Sequence, residues 1–173
     1  IYLSKYSGWY SVSDEAFYSE NEIEEKDNIK INRLSGSKVE WVEEESFFFK
    51  LSKWENKLLE YYEKNPEFIK PESRRNEVIS FVKGGLKDLS VSRKSITWGI
   101  NVPSQKDHII YVWLDALTNY LSALDYPNTD ADKYKNFWPA SVHIIGKDIL
   151  RFHAVYWPAF LLAAELPTPK RIY

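Results

Sequence analysis

Apolar positions recur at helical spacing in the second quarter of the chain, and the pattern predicts a helix that begins near Leu51. The side chains on its apolar stripe lie three and four residues apart: Leu51, Trp54, Leu58, Tyr61 and Tyr62. Asn65 and Pro66 end this helix, because proline cannot continue the hydrogen-bond pattern. The stripe indicates a helix that packs on one side.

A second helix is predicted from Arg74 to Lys83. Ser73 is a plausible N-cap, and Gly84 and Gly85 form the stop signal. The short connection between the two helices favours a helical hairpin.

Before these helices the pattern is typical of short strands. Gly36, flanked by serines, marks a turn between two strands, and the β-like region runs from Ile1 to about Val42. The acidic stretch from Asp14 to Asp27 has few opposing charges. It is most simply a solvated loop or surface turn, and the alternative is an acidic docking surface.

From Asp88 onward strands and helices alternate. Strands are predicted at 96–102, 109–113 and 142–145, with helices at 115–124 and from Lys147 to Ala164. Such alternation favours an α/β fold in which helices cover a parallel or mixed sheet. We therefore predict a domain boundary near residue 88.

Composition narrows the class of protein. The chain has 173 residues, 44% hydrophobic and 16% aromatic, which is enough to bury a core. It has no cysteine, only three isolated histidines and a net charge of −2, so we expect neither a disulfide nor a metal site.

No leader and no apolar run near the roughly 20 residues of a membrane span occurs, which indicates a soluble, cytoplasmic protein. The absence of methionine suggests a piece of a longer protein, and residues 170–173 look like the start of another strand.

The junction after the strand Ser141-Val-His-Ile-Ile-Gly146 is a candidate ligand site. Ligands of open parallel sheets bind beyond the carboxyl ends of strands, where a helix begins. Gly146 permits close approach, and Asp148 is expected either to cap the helix or to accept a ribose hydroxyl.

Two aromatic faces follow from helical spacing. The last helix places on one face Ile149, Phe152, His153, Tyr156, Trp157 and Phe160. The preceding helix presents together Trp113, Ala116, Leu117 and Tyr120. From the residues alone each face is either ordinary core, with His153 a satisfied buried histidine, or the wall of an apolar pocket.

Two sequence blocks give a more specific indication. They are Tyr111-Val-Trp-Leu-Asp-Ala-Leu-Thr-Asn-Tyr120 and Gly146-Lys-Asp-Ile-Leu-Arg-Phe-His-Ala-Val-Tyr-Trp-Pro-Ala-Phe160. Together they resemble the methionyl-tRNA synthetases, a family of class I aminoacyl-tRNA synthetases. The resemblance implies that residues 89–173 form the second half of a Rossmann-like nucleotide-binding fold. Residues 1–88 would be a small α+β connective insertion that contains the helical hairpin.

The resemblance also implies roles for individual residues. The methionine pocket would be formed by Trp113, Ala116, Leu117, Tyr120, Ile149, Phe152, His153 and Trp157. Gly146 and Asp148 would contact the adenosine of ATP. Arg93 would be catalytic, near the polar end of the substrate and paired with a carboxylate outside this chain; the alternative is a surface arginine. Leu117 replaces a proline of some relatives, and Leu89 replaces a tryptophan.

In many members of the family the insertion carries a Cys-x-x-Cys zinc knuckle. The corresponding positions here are Ser11, Asp14, Asn32 and Ser35. Hydroxyl and amide groups bind zinc poorly. We therefore expect a knuckle-like fold without zinc.

The implied reaction is the activation of methionine with ATP and Mg²⁺ to methionyl-adenylate, followed by transfer to tRNA(Met). Two family signatures, His-Ile-Gly-His and Lys-Met-Ser-Lys-Ser, are absent from the chain. The rest of the parent catalytic domain would therefore be a required partner, and the segment alone is expected to be inactive. The alternatives are a non-catalytic binding module for a small ligand or partner chain, and a sibling synthetase for leucine, isoleucine or valine. A nucleic-acid module is weaker, because the net charge is negative.

Overall fold

The amino-terminal part of the protein is an antiparallel sheet with a projecting hairpin. The structure is a computed structural model that describes residues 1–13, 16–18, 20–103 and 105–173. Strands β1 (Tyr2–Ser11), β2 (Ala16–Tyr18), β5 (Glu40–Phe49) and β6 (Leu89–Ser90) form a sheet in the order β2-β1-β5-β6. The register of β1 and β5 runs from Tyr2 opposite Phe48 to Tyr10 opposite Glu40. This sheet confirms the predicted β character of the region.

Where it is described, the acidic stretch contains strand β2, a 3₁₀ turn at Glu20–Glu22 and strand β3 (Ile23–Lys26), so the prediction of a loop was wrong, although its carboxylates are exposed as expected. Strand β3 pairs with β4 (Ile29–Asn32), with Lys26 opposite Ile29. Asp27 and Asn28, the two residues between them, have φ values of 52° and 63°. A two-residue turn with both φ values positive matches the right-handed twist of the flanking strands. Asp14 and Glu15 lie outside the described residues.

The two predicted helices form the expected hairpin. After a 3₁₀ turn at Leu51–Trp54, α1 spans Glu55–Lys64 and α2 spans Glu72–Lys83. The prediction that Ser73 caps α2 was wrong, because the helix begins at Glu72, one residue before Ser73. The carbonyl of Pro71 accepts the amides of Arg74 and Arg75 at 2.9 and 3.2 Å, and Pro71 itself is the N-cap.

The carboxy-terminal part alternates as predicted but with different boundaries. Strands β7 (Ser92–Arg93), β8 (Asn101–Val102) and β9 (Gln105–Ile110) form a sheet in the order β7-β9-β8, and they pair antiparallel. Helix α3 spans Val112–Ser122, and a short helix α4 spans Asp132–Phe137. The expected strand at 109–113 therefore ends earlier, because α3 begins three residues before Asp115.

Parallel pairing occurs only at isolated positions in the described ranges, which corrects the expectation of an extended parallel or mixed sheet. Ile172 bridges Ile69 on one side and His143 on the other. The amide of His143 donates to Arg171 at 2.8 Å, and its carbonyl accepts from Tyr173 at 2.8 Å. The last residues are thus paired on both sides of Ile172. The segment 142–145 pairs with residues 171–173, and this short partner supports only a few hydrogen bonds.

Alternation along 142–145 separates a buried face from an exposed one. His143 is buried and Ile145 is half-buried, whereas Val142 is 42% exposed and Ile144 is 79% exposed. The two exposed side chains lie two residues apart and therefore on the same face.

The last helix is not a uniform α-helix. A 3₁₀ turn at Lys147–Ile149 precedes a π turn at Phe152–Tyr156, and α5 follows at Trp157–Ala163. An α-helix would pair the carbonyl of Ala154 with the amide of residue 158, which is a proline and has none. The hydroxyl of Tyr62 in α1 donates to that carbonyl instead, at 2.6 Å. The site helix is therefore fixed by the helical hairpin.

The core draws on both parts of the chain. Buried residues before and after residue 88, such as Leu58, Val82, Leu117 and Leu161, belong to one hydrophobic cluster. The boundary near residue 88 stays a prediction. Among the described helices, none combines the length and the apolar character that crossing a membrane requires.

Candidate functional site

The π turn divides the predicted aromatic stripe between two sets of ring contacts. A π turn contains one residue more than an α turn, so neighbours in sequence shift around the helix. The Phe152 ring stacks on Trp113 with centroids 3.5 Å apart and planes 9° from parallel. His153 and Trp157 instead contact Tyr120, with ring centroids 5.7 and 6.2 Å away. The stripe thus forms two clusters, where the spacing predicted a single face.

Tyr120 and His153 form a hydrogen-bonded pair. The Tyr120 hydroxyl lies 2.8 Å from Nε2 of His153, and Nδ1 of His153 lies 3.0 Å from the carbonyl oxygen of Ile149. A carbonyl oxygen only accepts, so Nδ1 carries the proton and Nε2 accepts from Tyr120. Burial lowers the pKa of His153, while the hydrogen bond to Ile149 raises it to a smaller degree. Burial raises the pKa of Tyr120, so the pair is neutral near pH 7.

His143 closes the far side of this pair, and sequence analysis missed it. Its ring lies 4.2 Å from that of Tyr120, and its side chain is buried. Burial, with a smaller effect of His153, lowers the pKa of His143 to about 4. A cavity of about 380 Å³ opens beside Tyr120 and His143 and is bordered by Trp138. Only a contact across the fold reveals this role, because the strand pattern gives it no signal.

Arg93 lies in a second cleft on the other side of Phe152. The cleft has a volume of about 250 Å³ and is lined by Trp113, Phe152 and Tyr156 together with Arg93. The guanidinium is buried and stacks over the ring of Tyr111 at 3.8 Å. A surface arginine, which was the alternative, is excluded by this burial.

The remaining residues of the predicted pocket differ in exposure. Ala116 is exposed, Ile149 is half-buried, and Leu117 is 1% exposed within the core. Helix α3 therefore turns Trp113 and Tyr120 toward the clefts but directs Leu117 into the protein interior. Leu117 therefore lies within the core, behind the wall of the predicted pocket.

Gly146 and Asp148 form the turn before the site helix. Gly146, not Asp148, is the N-cap of the 3₁₀ turn, and no side chain caps it, so the capping role predicted for Asp148 was wrong. Asp148 sits inside that turn, where its carboxylate is exposed. Around Gly146, apart from the glycine itself and its two neighbours in the chain, none of the described atoms lies within 4 Å of the place that a Cβ would occupy. The turn leaves room for a ligand to approach the backbone.

The knuckle positions are engaged in hydrogen bonds. The buried Asn32 accepts at Oδ1 from the amides of Leu34 and Ser35, both at 2.9 Å, and donates from Nδ2 to the Glu22 carbonyl at 3.2 Å. The Ser11 hydroxyl lies 3.1 Å from that of Ser13, and Asp14 lies outside the described residues. Neutral hydroxyl and amide groups already paired in this way do not fit zinc. Within the described ranges no cluster of three or more His, Cys, Asp or Glu side chains could hold a metal.

Comparison with known proteins places this geometry in a class. The profile of the family described as tRNA synthetases class I (M) matches residues 27–173, and the chain belongs to this family. Methionine–tRNA ligase of Rickettsia prowazekii is 63% identical over 174 aligned residues, which cover 99% of this chain and 33% of the relative. The methionine–tRNA ligase of Mycobacterium tuberculosis is 56% identical over 173 residues, covering 100% of this chain and 33% of the relative.

Solved structures agree with these relatives. The apo Mycobacterium tuberculosis methionyl-tRNA synthetase matches with a TM-score of 0.88 and 56% identity, covering 99% of this chain and 34% of that chain. The crystal structure of the same synthetase bound by methionyl-adenylate matches equally well, with a TM-score of 0.88. The chain thus spans about a third of the length of the relatives it matches.

Proposed function

We propose that this chain supplies the methionine pocket of a methionine–tRNA ligase. In the proposed reaction methionine and ATP, with Mg²⁺, give methionyl-adenylate, and the methionyl group then passes to tRNA(Met). The relatives' names and the methionyl-adenylate complex favour this function over a binding module or a synthetase for leucine, isoleucine or valine.

The observation that carries the proposal is the neutral pair of Tyr120 and His153 beside aromatic rings. A thioether is polarisable, uncharged and only a weak acceptor, and it makes favourable contacts at ring edges. The buried surroundings lower the pKa of His153, so the pair of Tyr120 and His153 carries no charge at neutral pH. A hydroxyl that already donates to His153 can turn toward a sulfur atom without leaving a buried charge behind. The leucine side chain has no heteroatom that could accept a hydrogen bond from the rotated hydroxyl.

The finer architecture follows from the resemblance to the family. We propose that residues 89–173 are the second half of the Rossmann-like catalytic fold and that residues 1–88 are the connective insertion. Gly146 and Asp148 would hold the adenosine, since the turn is open at Gly146 and the carboxylate of Asp148 is exposed. Arg93 would act at the polar end of the substrate. Catalysis would then rest on positioning and electrostatic stabilisation of an in-line displacement.

Methionine binding to the full-length protein tests the proposal by calorimetry. We expect micromolar binding that leucine does not displace, a loss in His153→Ala of at least tenfold, and a smaller loss in Tyr120→Phe. Tyr126→Phe is the matched control, because Tyr126 packs against Tyr134 at a ring distance of 5.8 Å and lies outside both clefts. Undiminished binding in His153→Ala, or equal competition by leucine, would contradict the assignment.

A further inference from the structure

A closed ring of hydrogen bonds links strand β5 to Arg93. Nη1 of Arg93 donates to the Ser90 hydroxyl and, at 2.7 Å, to the Ser92 carbonyl. The Ser46 hydroxyl touches both of these acceptors, lying 2.5 Å from Ser90 Oγ and 2.9 Å from the Ser92 carbonyl oxygen. Ser46 is 1% exposed and Arg93 is 6% exposed, so the ring is largely shielded from water.

The direction of each hydrogen bond follows from the donors available. A guanidinium only donates, so Ser90 Oγ accepts from Arg93 and its own hydrogen is left for Ser46. Ser46 then donates its hydrogen to the carbonyl of Ser92. The Ser46 hydroxyl also lies 3.1 Å from the carbonyl oxygen of Phe47, so the Ser92 carbonyl, at 2.9 Å, is its nearer acceptor. The two serines thereby support one orientation of the guanidinium. Shielded hydrogen bonds to a charged group are among the stronger ones in proteins.

The strand beneath Arg93 is anchored separately. The Ser92 hydroxyl accepts the Phe47 amide at 2.9 Å and lies 3.0 Å from Nδ1 of the buried His108. The ring of Tyr111 lies under the guanidinium at 3.8 Å. The backbone and the ring fix where Arg93 sits, and Ser90 and Ser46 contribute to the rotation of its guanidinium.

We propose that Ser46 and Ser90 are positioning residues that orient Arg93 for adenylate formation. The inference rests on the proposed function and deepens it: Ser46 lies in β5, in the predicted connective insertion, whereas Arg93 lines a cleft of the predicted catalytic half. The insertion thereby contributes to the geometry of a group at the reaction site.

The test uses methionine-dependent ATP–pyrophosphate exchange by the full-length protein. Ser90→Ala is expected to lower kcat/KM for methionine about tenfold, the effect of losing a hydrogen bond to a charged group. Ser46→Ala, which acts on Arg93 only through Ser90 and the Ser92 carbonyl, is expected to cause a smaller loss. Ser46→Thr keeps the hydroxyl and is expected to retain most of the activity. Ser80→Ala, the same change at an exposed position of α2, is the control and should match the wild type.

A double-mutant cycle separates positioning from general stability. In single-turnover adenylate formation, Ser90→Ala is expected to cost nothing further when Arg93→Gln is already present, because the serine acts through the arginine. Additive losses, full activity of Ser90→Ala, or wild-type activity of Arg93→Gln would each overturn the inference. None of them would contradict the methionine–tRNA ligase reaction, although the last would also remove the role proposed for Arg93. Absence of exchange by the wild-type protein would instead overturn the proposed function and this inference with it.

Discussion

Replacing Tyr62 by phenylalanine tests how the π turn that carries His153 is held. The Tyr62 hydroxyl is buried and donates to the Ala154 carbonyl at 2.6 Å. Pro158 cannot supply the amide that an α-helix would place there. The variant leaves this carbonyl without its side-chain donor in a dry environment.

The expected magnitude follows from that loss. A buried hydrogen bond between neutral groups contributes about 0.5–1.5 kcal/mol, and removing one partner costs up to about 3 kcal/mol where the other is left in a dry environment. We therefore expect about 1–2 kcal/mol, expressed locally between Arg151 and Phe160. Since 1.4 kcal/mol is a factor of ten, amide hydrogen exchange in this segment should accelerate roughly 5- to 30-fold.

The assay is hydrogen exchange with mass spectrometry on the full-length protein, together with methionine binding. Affinity should fall with the loosened turn, because His153 precedes Ala154. Tyr61→Phe is the matched control on the same helix, since the Tyr61 hydroxyl lies 2.6 Å from that of Thr168 and does not reach the turn. Equal exchange of the segment in Tyr62→Phe and wild type would refute the reasoning.

Four further changes have expected outcomes. Gly99→Ala should destabilise the protein by more than about 1 kcal/mol in thermal unfolding, because φ is 138° and a Cβ would lie 2.5 Å from Cγ2 of Ile109. Gly146→Ala should leave the melting temperature unchanged but weaken ATP binding, since φ is −70° and the surroundings are open. Asn32→Ala should speed proteolysis of the knuckle at a cost of about 1–3 kcal/mol. The free energy of unfolding should fall as pH drops from 6.5 toward 4. In this range His143 binds a proton in the unfolded chain but stays neutral in the folded protein, where burial lowers its pKa to about 4. The full shift corresponds to at most about 3 kcal/mol.

Specific results would contradict these predictions. Equal melting temperatures of Gly99→Ala and Gly146→Ala would remove the argument from backbone strain. Proteolysis of Asn32→Ala at the wild-type rate would mean that packing alone holds the knuckle. A pH profile in His143→Gln as steep as in the wild type would assign the dependence to other groups.

Local patterns predicted much of the fold because the determinants were local. The helical hairpin follows from apolar spacing and from the proline and glycine signals that end its helices. The pair of Tyr120 and His153 was expected from the resemblance, and the structure brings these side chains within hydrogen-bond distance. Whether they bind methionine stays a prediction.

The features that sequence analysis did not predict depend on contacts between residues distant in sequence or on turns of unusual conformation. The Asp27-Asn28 turn has two positive φ values, which composition did not reveal among so many acidic residues. The π turn gives Phe152 and His153 different ring partners, Trp113 and Tyr120, and spacing rules assume an α-helix throughout. Pro158 was a usable signal of an irregular helix, because it lacks the amide that would donate to the Ala154 carbonyl. His143 joins the site only through pairing with residues 171–173.

The exposed face of the segment 142–145 bears on how the protein should be handled. Sheets with parallel pairing are ordinarily covered on both faces, yet Val142 and Ile144 present bare hydrocarbon to water. Bare strands with a free edge associate with one another at high concentration. The segment produced alone should therefore precipitate or form oligomers, and a charged residue in place of Ile144 should keep it dispersed. In the full-length protein the same replacement would be harmful wherever neighbouring chain covers this face.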